Sequence, residues 1–279
     1  MPLCRPGKIS PVTDPVWLDG TILPLEKARI APDDRGLLLG DGLFETMRVA
    51  SGKVCHPDRH LARLAEGCRT LMLPPPDLSL LQQAMTDLLE ASALTNGSLR
   101  LTITRGCGPR GVLPTSPVRP TILIRTAPAA QKPSTPVRLG TSRYRKDEKS
   151  PLSSVKSLAC LPFIMARMEA AASGLDDALL LATTGAVAES TTANILFLMH
   201  DTFLTPPLQD GPLPGIARSR LCESGLLRET SVRPEDISSM TAAWLVNALS
   251  LTPVISIDSH SLSFSPHADT RLRQFLFPV

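Results

Sequence analysis

The stretch DDALLLATTGAVAESTTANILF, residues 176–197, governs the reading of the chain. It reads as strand, turn, strand: an aliphatic run over Ala178–Ala182, a turn at Thr184-Gly185, then a second apolar run. Within that second run stands one carboxylate, Glu189, flanked by Ala188 and Ser190. Leucine-rich strand text with one embedded acid raises the question of what the acid is for.

Upstream, SSVKSLACL (Ser153–Leu161) holds a lysine with no acidic residue within three positions, and no lysine follows Lys156 in the chain. A lysine among apolar neighbours loses solvation, so its neutral amine becomes populated and can form a Schiff base with an aldehyde. A carboxylate such as Glu189 can hydrogen-bond a protonated ring nitrogen, the partnership that makes pyridoxal phosphate an electron sink. Phosphate needs donors. PGIAR places Gly215 and Ile216 at a helix start, where free N–H groups and the dipole attract an anion. Arg63 in HLARL can add a charge-assisted contact.

Composition bounds these readings. The chain has 279 residues, 43% hydrophobic and 20% charged, with 29 basic against 26 acidic side chains. That near balance excludes the basic stripe of a nucleic-acid binder. The six cysteines form no C-x-x-C pair and read as reduced thiols. No apolar run reaches the roughly 18 residues of a membrane span. MPLCRPGKISPVTDP is too polar and proline-broken for a signal peptide, so the expectation is a cytoplasmic protein that binds neither nucleic acid nor membrane.

The organisation expected is α/β (α+β) in two domains. Residues 1–15 form an extended lead, 16–127 a small α/β domain, 128–136 a linker rich in Pro, Ala and Ser, and 137–279 a second domain. Hairpin turns are expected at Asp19-Gly20 and Ser51-Gly52. Two helices follow, the second capped by Asp77. SLRLTITRG and PTILIRTAP read as neighbouring strands. A helix begins after Lys156 and closes with Gly174 as its C′ residue, and AAWLVNALSLTPVISI reads as two strands with a polar kink between them.

Several motifs lead elsewhere. GCGPRG, residues 106–111, matches G-x-G-x-x-G, but a dinucleotide fingerprint must open a helix, and Pro109 and the prolines beyond it forbid one. The better reading is a glycine-rich loop presenting Arg105 and Arg110, two cations suited to substrate carboxylates. The five histidines and six cysteines give no metal-ligand spacing, so no metal is expected. No nucleophile elbow G-x-S-x-G occurs.

Seven blocks occur in one order: DRGLLLGDGLFETMRV, HLARL, TRGCGPRG, SPLSSVKSL, DDALLLATTGAVAESTTANILF, PGIARSRL and NALSLTPV. In this the chain resembles the class-IV aminotransferase family, fold type IV of pyridoxal-phosphate enzymes, from about Val16 onward. The resemblance implies a small N-terminal α/β domain, a C-terminal pseudo-barrel and a homodimer acting on a small amino compound. It makes Lys156 the lysine that carries the cofactor and moves protons, and Glu189 the partner of the ring nitrogen. Arg63, Gly215, Ile216, Ala217, Asn247 and Ala248 become the phosphate cradle, and Arg110 and Arg105 the candidate substrate cations. The family's transaminases commonly have threonine where Ala217 stands. Asn247–Leu249 and the 104–111 loop look more like its 4-amino-4-deoxychorismate lyases, whereas Val112 departs from their aromatic residue. The expected activity is therefore formation of 4-aminobenzoate and pyruvate, a step toward folate, with a branched-chain, D-amino acid or R-amine transaminase as the alternative.

Overall fold

The computed structural model describes residues 14–129 and 135–278. Almost all of the expected N-terminal lead, and residues 130–134 of the expected linker, lie outside the described residues. The first sheet has six antiparallel strands in the order β2-β1-β6-β5-β3-β4. These are β1 (Pro15–Leu18), β2 (Thr21–Pro24), β3 (Gly42–Ala50), β4 (Lys53–Val54), β5 (Gly97–Thr104) and β6 (Thr121–Pro128). Asp19 and Gly20, like Ser51 and Gly52, have positive φ, which fits the two-residue turns expected there. Between β2 and β3 lies a short helix that the sequence reading lacks, α1 (Arg35–Leu39).

Two amphipathic helices cover the sheet, α2 (Pro57–Thr70) and α3 (Leu78–Ser92), the latter capped as expected by Asp77, which accepts from Leu80 N–H at 3.0 Å. The strand alternation of β3 buries Leu43, Glu45, Met47 and Val49 beneath these helices and turns Phe44, Thr46 and Arg48 the other way. Leu61, Leu64, Leu81, Leu88, Leu99 and Leu101 complete this core.

The second sheet has nine strands. Eight run in the order β12-β11-β10-β13-β14-β7-β8-β9, and β15 pairs β14. They are β7 (Val137–Lys146), β8 (Asp177–Ala182), β9 (Val187–Ser190), β10 (Asn194–Met199), β11 (Thr202–Thr205), β12 (Leu227–Glu229), β13 (Ala242–Val246), β14 (Leu251–Ile257) and β15 (His260–Ser261). The sheet is mixed, with parallel pairs at β7/β8, β7/β14 and β11/β12. It curls around Leu139, Val187, Ile195, Phe197, Leu245 and Val254. Outside it pack α4 (Leu161–Ala172), α5 (Ile216–Glu223) and α6 (Pro266–Leu276). Gly174 stands at positive φ just past the C-cap of α4, as expected.

One expected strand divides. The text after Thr184-Gly185 reads as continuous, but β9 pairs β8 while β10 pairs β13 and β11. A tight turn intervenes, with Ser190 N–H on Ala193 carbonyl at 2.9 Å and the Thr191 hydroxyl on buried Asp177 at 2.5 Å. This polar closure changes the strand's partner and leaves Glu189 at the end of β9.

Asp34 is fully buried. It caps α1 through Gly36 N–H at 2.7 Å and accepts from the hydroxyls of Thr104 and Thr121, each at 2.8 Å. Asp34→Ala removes all three acceptor contacts and strands two hydroxyls. The expected loss is on the order of 3 kcal/mol, read as a lower urea midpoint with unchanged slope.

Candidate active site

β3 places the lysine. Its far edge at Gly42–Phe44 is free of β4, and the Lys156 segment pairs there. Phe44 N–H donates to Lys156 carbonyl at 3.0 Å and Leu158 N–H to Gly42 carbonyl at 2.9 Å. A methyl group on Gly42 would stand 2.4 Å from Ile103 carbonyl oxygen and 2.8 Å from Leu158, so only glycine permits this close approach.

The side chain of Lys156 is half-buried, its Nζ 4.4 Å from the centre of the Phe44 ring. Burial is the main cause that holds the amine below the ordinary lysine range. The positive charge of Arg63 adds to it, against the opposing pull of Glu45 and Glu189.

Glu189 is buried and has two donors. Lys146 Nζ lies 2.8 Å from Oε1, and Leu213 N–H donates to Oε2 at 3.0 Å. A carboxylate offers about four lone-pair positions, so acceptor capacity remains for a ring N–H. Lys146 lies at the end of β7, in a charged stretch that reads as a loop. Its partnership comes from parallel pairing of β7 with β8, which the sequence does not state.

The entry to α5 is pinned at successive groups. Leu213 N–H meets Glu189, Leu213 carbonyl accepts from Asn194 Nδ2 at 2.9 Å, and Pro214 carbonyl accepts from Arg63 Nη1 at 2.8 Å. Asn194 also explains Gly215, where an added Cβ would stand 2.0 Å from Asn194 Oδ1. Arg63 is forked on Glu45, Nε to Oε1 at 2.8 Å and Nη2 to Oε2 at 2.7 Å. One N–H on each terminal nitrogen is left. The guanidinium and the open end of α5 thus come together through a direct bond, two cationic elements fit for one phosphate.

Ile216, Ala217, Asn247 and Ala248, all expected around phosphate, line one cavity of about 220 Å³. The Asn247 amide is engaged in its own turn, accepting from Leu249 and Ser250 N–H at 2.9 and 3.0 Å and donating to Thr192 carbonyl at 3.3 Å. What the turn offers an anion is backbone. A half-buried amine without an ion-pair partner among the described residues, a carboxylate with spare acceptor positions and a helix end beside a guanidinium form a donor set that fits pyridoxal phosphate.

The two loop arginines are placed differently. Arg105 is buried, bonded to Asp41 at 2.8 Å and to the carbonyls of Leu71 and Met72 at 2.7 and 3.2 Å. It braces the end of α2 rather than presenting a charge to a substrate. Arg110 is exposed on the loop. That loop is anchored by Arg35, which donates to the carbonyls of Gly111 and Val112 at 2.9 and 2.7 Å. A cation in contact with the same Phe44 ring as Lys156 is one the sequence reading passed over, Arg100. It projects from β5 on the Phe44 side, its Cζ 3.7 Å from the Phe44 ring centre. The alternation of SLRLTITRG contains the signal: Arg100 points opposite to Leu99 and Leu101.

Residues 42–257 match the family model for amino-transferase class IV. The chain is 27% identical to a bifunctional aminodeoxychorismate lyase / D-amino acid transaminase of Mycobacterium tuberculosis, over 91% of this chain and 94% of that protein. Among solved structures, a 4-amino-4-deoxychorismate lyase from Pseudomonas aeruginosa superposes with a TM-score of 0.79 at 30% identity, covering 93% of this chain and 98% of that one. A branched-chain aminotransferase from Thermoproteus uzoniensis superposes with a TM-score of 0.86 at 26% identity, covering 94% and 93%.

Removing the Arg63 charge raises the affinity of Lys156 for its proton. In Arg63→Gln apoprotein, the pH midpoint for acylation of Lys156 in competitive labelling moves upward from that of the native chain. An unchanged or lower midpoint contradicts the electrostatic account.

Proposed function

The chain belongs to the class IV amino-transferase family, whose members depend on pyridoxal phosphate, and from that premise we propose that it converts 4-amino-4-deoxychorismate to 4-aminobenzoate and pyruvate. The observation that carries this reading is the cluster at Phe44, with Lys156 Nζ 4.4 Å and the Arg100 guanidinium 3.7 Å from its ring centre. An aromatic ring in contact with both the proton-moving amine and a guanidinium suits an unsaturated substrate ring that carries a carboxylate. Arg110, on the exposed loop, is the candidate for the second carboxylate of such a substrate.

When bound, pyridoxal phosphate supplies an aldehyde for the substrate amine and a ring that accepts electrons from the bond broken next to it. In this assignment Arg63, Ile216, Ala217, Ala248 and the ends of their elements hold the phosphate. Glu189, kept in place by Lys146 and Leu213 N–H, accepts the ring N–H. Lys156 carries the cofactor at rest and, once displaced, takes the proton from the amine-bearing carbon. The C–O bond to the enolpyruvyl group breaks and the six-membered ring becomes aromatic. The proton is returned to the departing three-carbon unit, so substrate atoms are conserved in 4-aminobenzoate plus pyruvate. Proton transfer by a positioned amine contributes on the order of 10²–10⁴-fold.

The second reading is a transaminase, in which Lys156 delivers the same proton to the cofactor's carbon. Similarity to the branched-chain aminotransferase supports it. Incubation with 4-amino-4-deoxychorismate, assaying both products, separates the two. Equimolar 4-aminobenzoate and pyruvate, absent with Lys156→Ala, is the expected result. Neither product, together with amino-group transfer from amino acids to keto acids, replaces the lyase with the transaminase.

The assembly proposed is a homodimer. Leu161, Ile164 and Met168 share one exposed face of α4. The C-cap of α1, Gly40, abuts Ala159 just before α4, and Leu37 and Leu38 of α1 are also exposed. Apolar side chains gathered this way favour burial against a second copy. Sedimentation is expected to give a dimer, and Leu161→Glu with Ile164→Glu a monomer. A native monomer removes this proposal.

A further inference from the structure

We infer that His60 is a further ligand of the cofactor's phosphate, an assignment that rests on the pyridoxal-phosphate reading above. His60 lies one helical turn before Arg63 on α2 and is only 1% exposed. Its Nδ1 stands 2.7 Å from Glu45 Oε2, the oxygen that also accepts from Arg63 Nη2. Burial pushes the Glu45 carboxyl up, but the hydrogen bonds from His60 and Arg63, with their charges, more than reverse it. The carboxylate therefore only accepts, and the proton of this hydrogen bond belongs to Nδ1.

That leaves Nε2, which has no hydrogen-bond partner among the described residues. His60 lines the 220 Å³ cavity together with Ile216, Ala217, Asn247 and Ala248. His56 and Cys55 share that wall, in which Arg220, Arg48 and Asn247 are engaged. Arg220 donates to the carbonyls of Phe275 and Leu276 at 3.2 and 3.4 Å. Arg48 lies over the Phe277 ring at 4.7 Å. Asn247 is held in its turn. Ala217 brings no hydroxyl to the start of α5. A buried imidazole whose Nε2 has no partner among the described residues thus shares a cavity wall with the start of α5, where Ala217 brings no side-chain donor. In this assignment Nδ1 holds the Glu45 carboxylate and Nε2 would contact the phosphate. Glu45 then orients both phosphate ligands of α2, Arg63 through its fork and His60 through Nδ1.

The test uses apoprotein titrated with pyridoxal phosphate and, separately, with pyridoxal, which lacks the phosphate. Asparagine places an amide nitrogen near the Nδ1 position and glutamine near Nε2. His60→Asn therefore keeps the contact to Glu45 and loses the one to phosphate. Its Kd for pyridoxal phosphate is expected to rise roughly tenfold or more, with the Kd for pyridoxal unchanged. His60→Gln is expected to keep more of the pyridoxal-phosphate affinity than His60→Asn. Native affinity in His60→Asn overturns the assignment, as does an equal loss for both compounds, which marks a purely structural histidine. Imidazole-¹⁵N-labelled native protein gives the same answer without a substitution. The Nε2 resonance of His60 is expected to move on adding pyridoxal phosphate and not pyridoxal, and its staying still overturns the proposal. Native protein that takes up neither compound overturns the cofactor reading itself, and this assignment with it.

Discussion

The fork of Arg63 on Glu45, with its third bond to Pro214, is the interaction on which the site depends. It joins β3 and α2 of the antiparallel sheet to the start of α5 on the curled sheet. Glu45 is a carboxylate in the core face of a strand, 1% exposed, a position that costs free energy unless both oxygens are hydrogen-bonded. His60 and the two Arg63 donors supply those bonds. Removing one member of such a buried pair typically costs about 3–5 kcal/mol, because the other is left charged and unpaired. The constraint thus serves the fold and also aims a guanidinium at a helix end.

The same placement governs Lys156. Pairing of its segment with Gly42–Phe44 brings the amine against the Phe44 ring, within the field of Arg63. Burial alone lowers a lysine's affinity for its proton, and a neighbouring cation lowers it further. A proton-moving amine needs that, since only its neutral form can accept a proton at neutral pH. Lys146 and Leu213 N–H hold the Glu189 carboxyl near the end of β9, while Asn194 fixes the backbone that α5 follows.

Arginines divide between scaffold and site in a way that sequence neighbours do not reveal. Arg35 and Arg105 both pair with Asp41, at 3.0 and 2.8 Å, and give their remaining bonds to carbonyls of the glycine-rich loop and of the turn after α2. They set the shape of the loop that carries Arg110. Arg100, in plain alternating strand text, lies instead on the open side beside Phe44.

By itself the sequence determined what local rules and residue chemistry decide. Alternation and turn residues located the hairpins at Asp19-Gly20 and Ser51-Gly52. Asp77 and Gly174 marked helix ends. A lysine without charged neighbours and a lone acid in an apolar strand marked Lys156 and Glu189. These signals are legible because they depend on residues a few positions apart. The partition of β9 from β10, the Lys146–Glu189 pair, the bracing role of Arg105 and the contact of Arg100 and Lys156 with one Phe44 ring were decided only by tertiary structure. Each depends on which strands pair and on which side a chain returns. Long-range pairing is set by burial summed over a whole sheet and by buried polar groups finding partners, so no single stretch of the sequence states it.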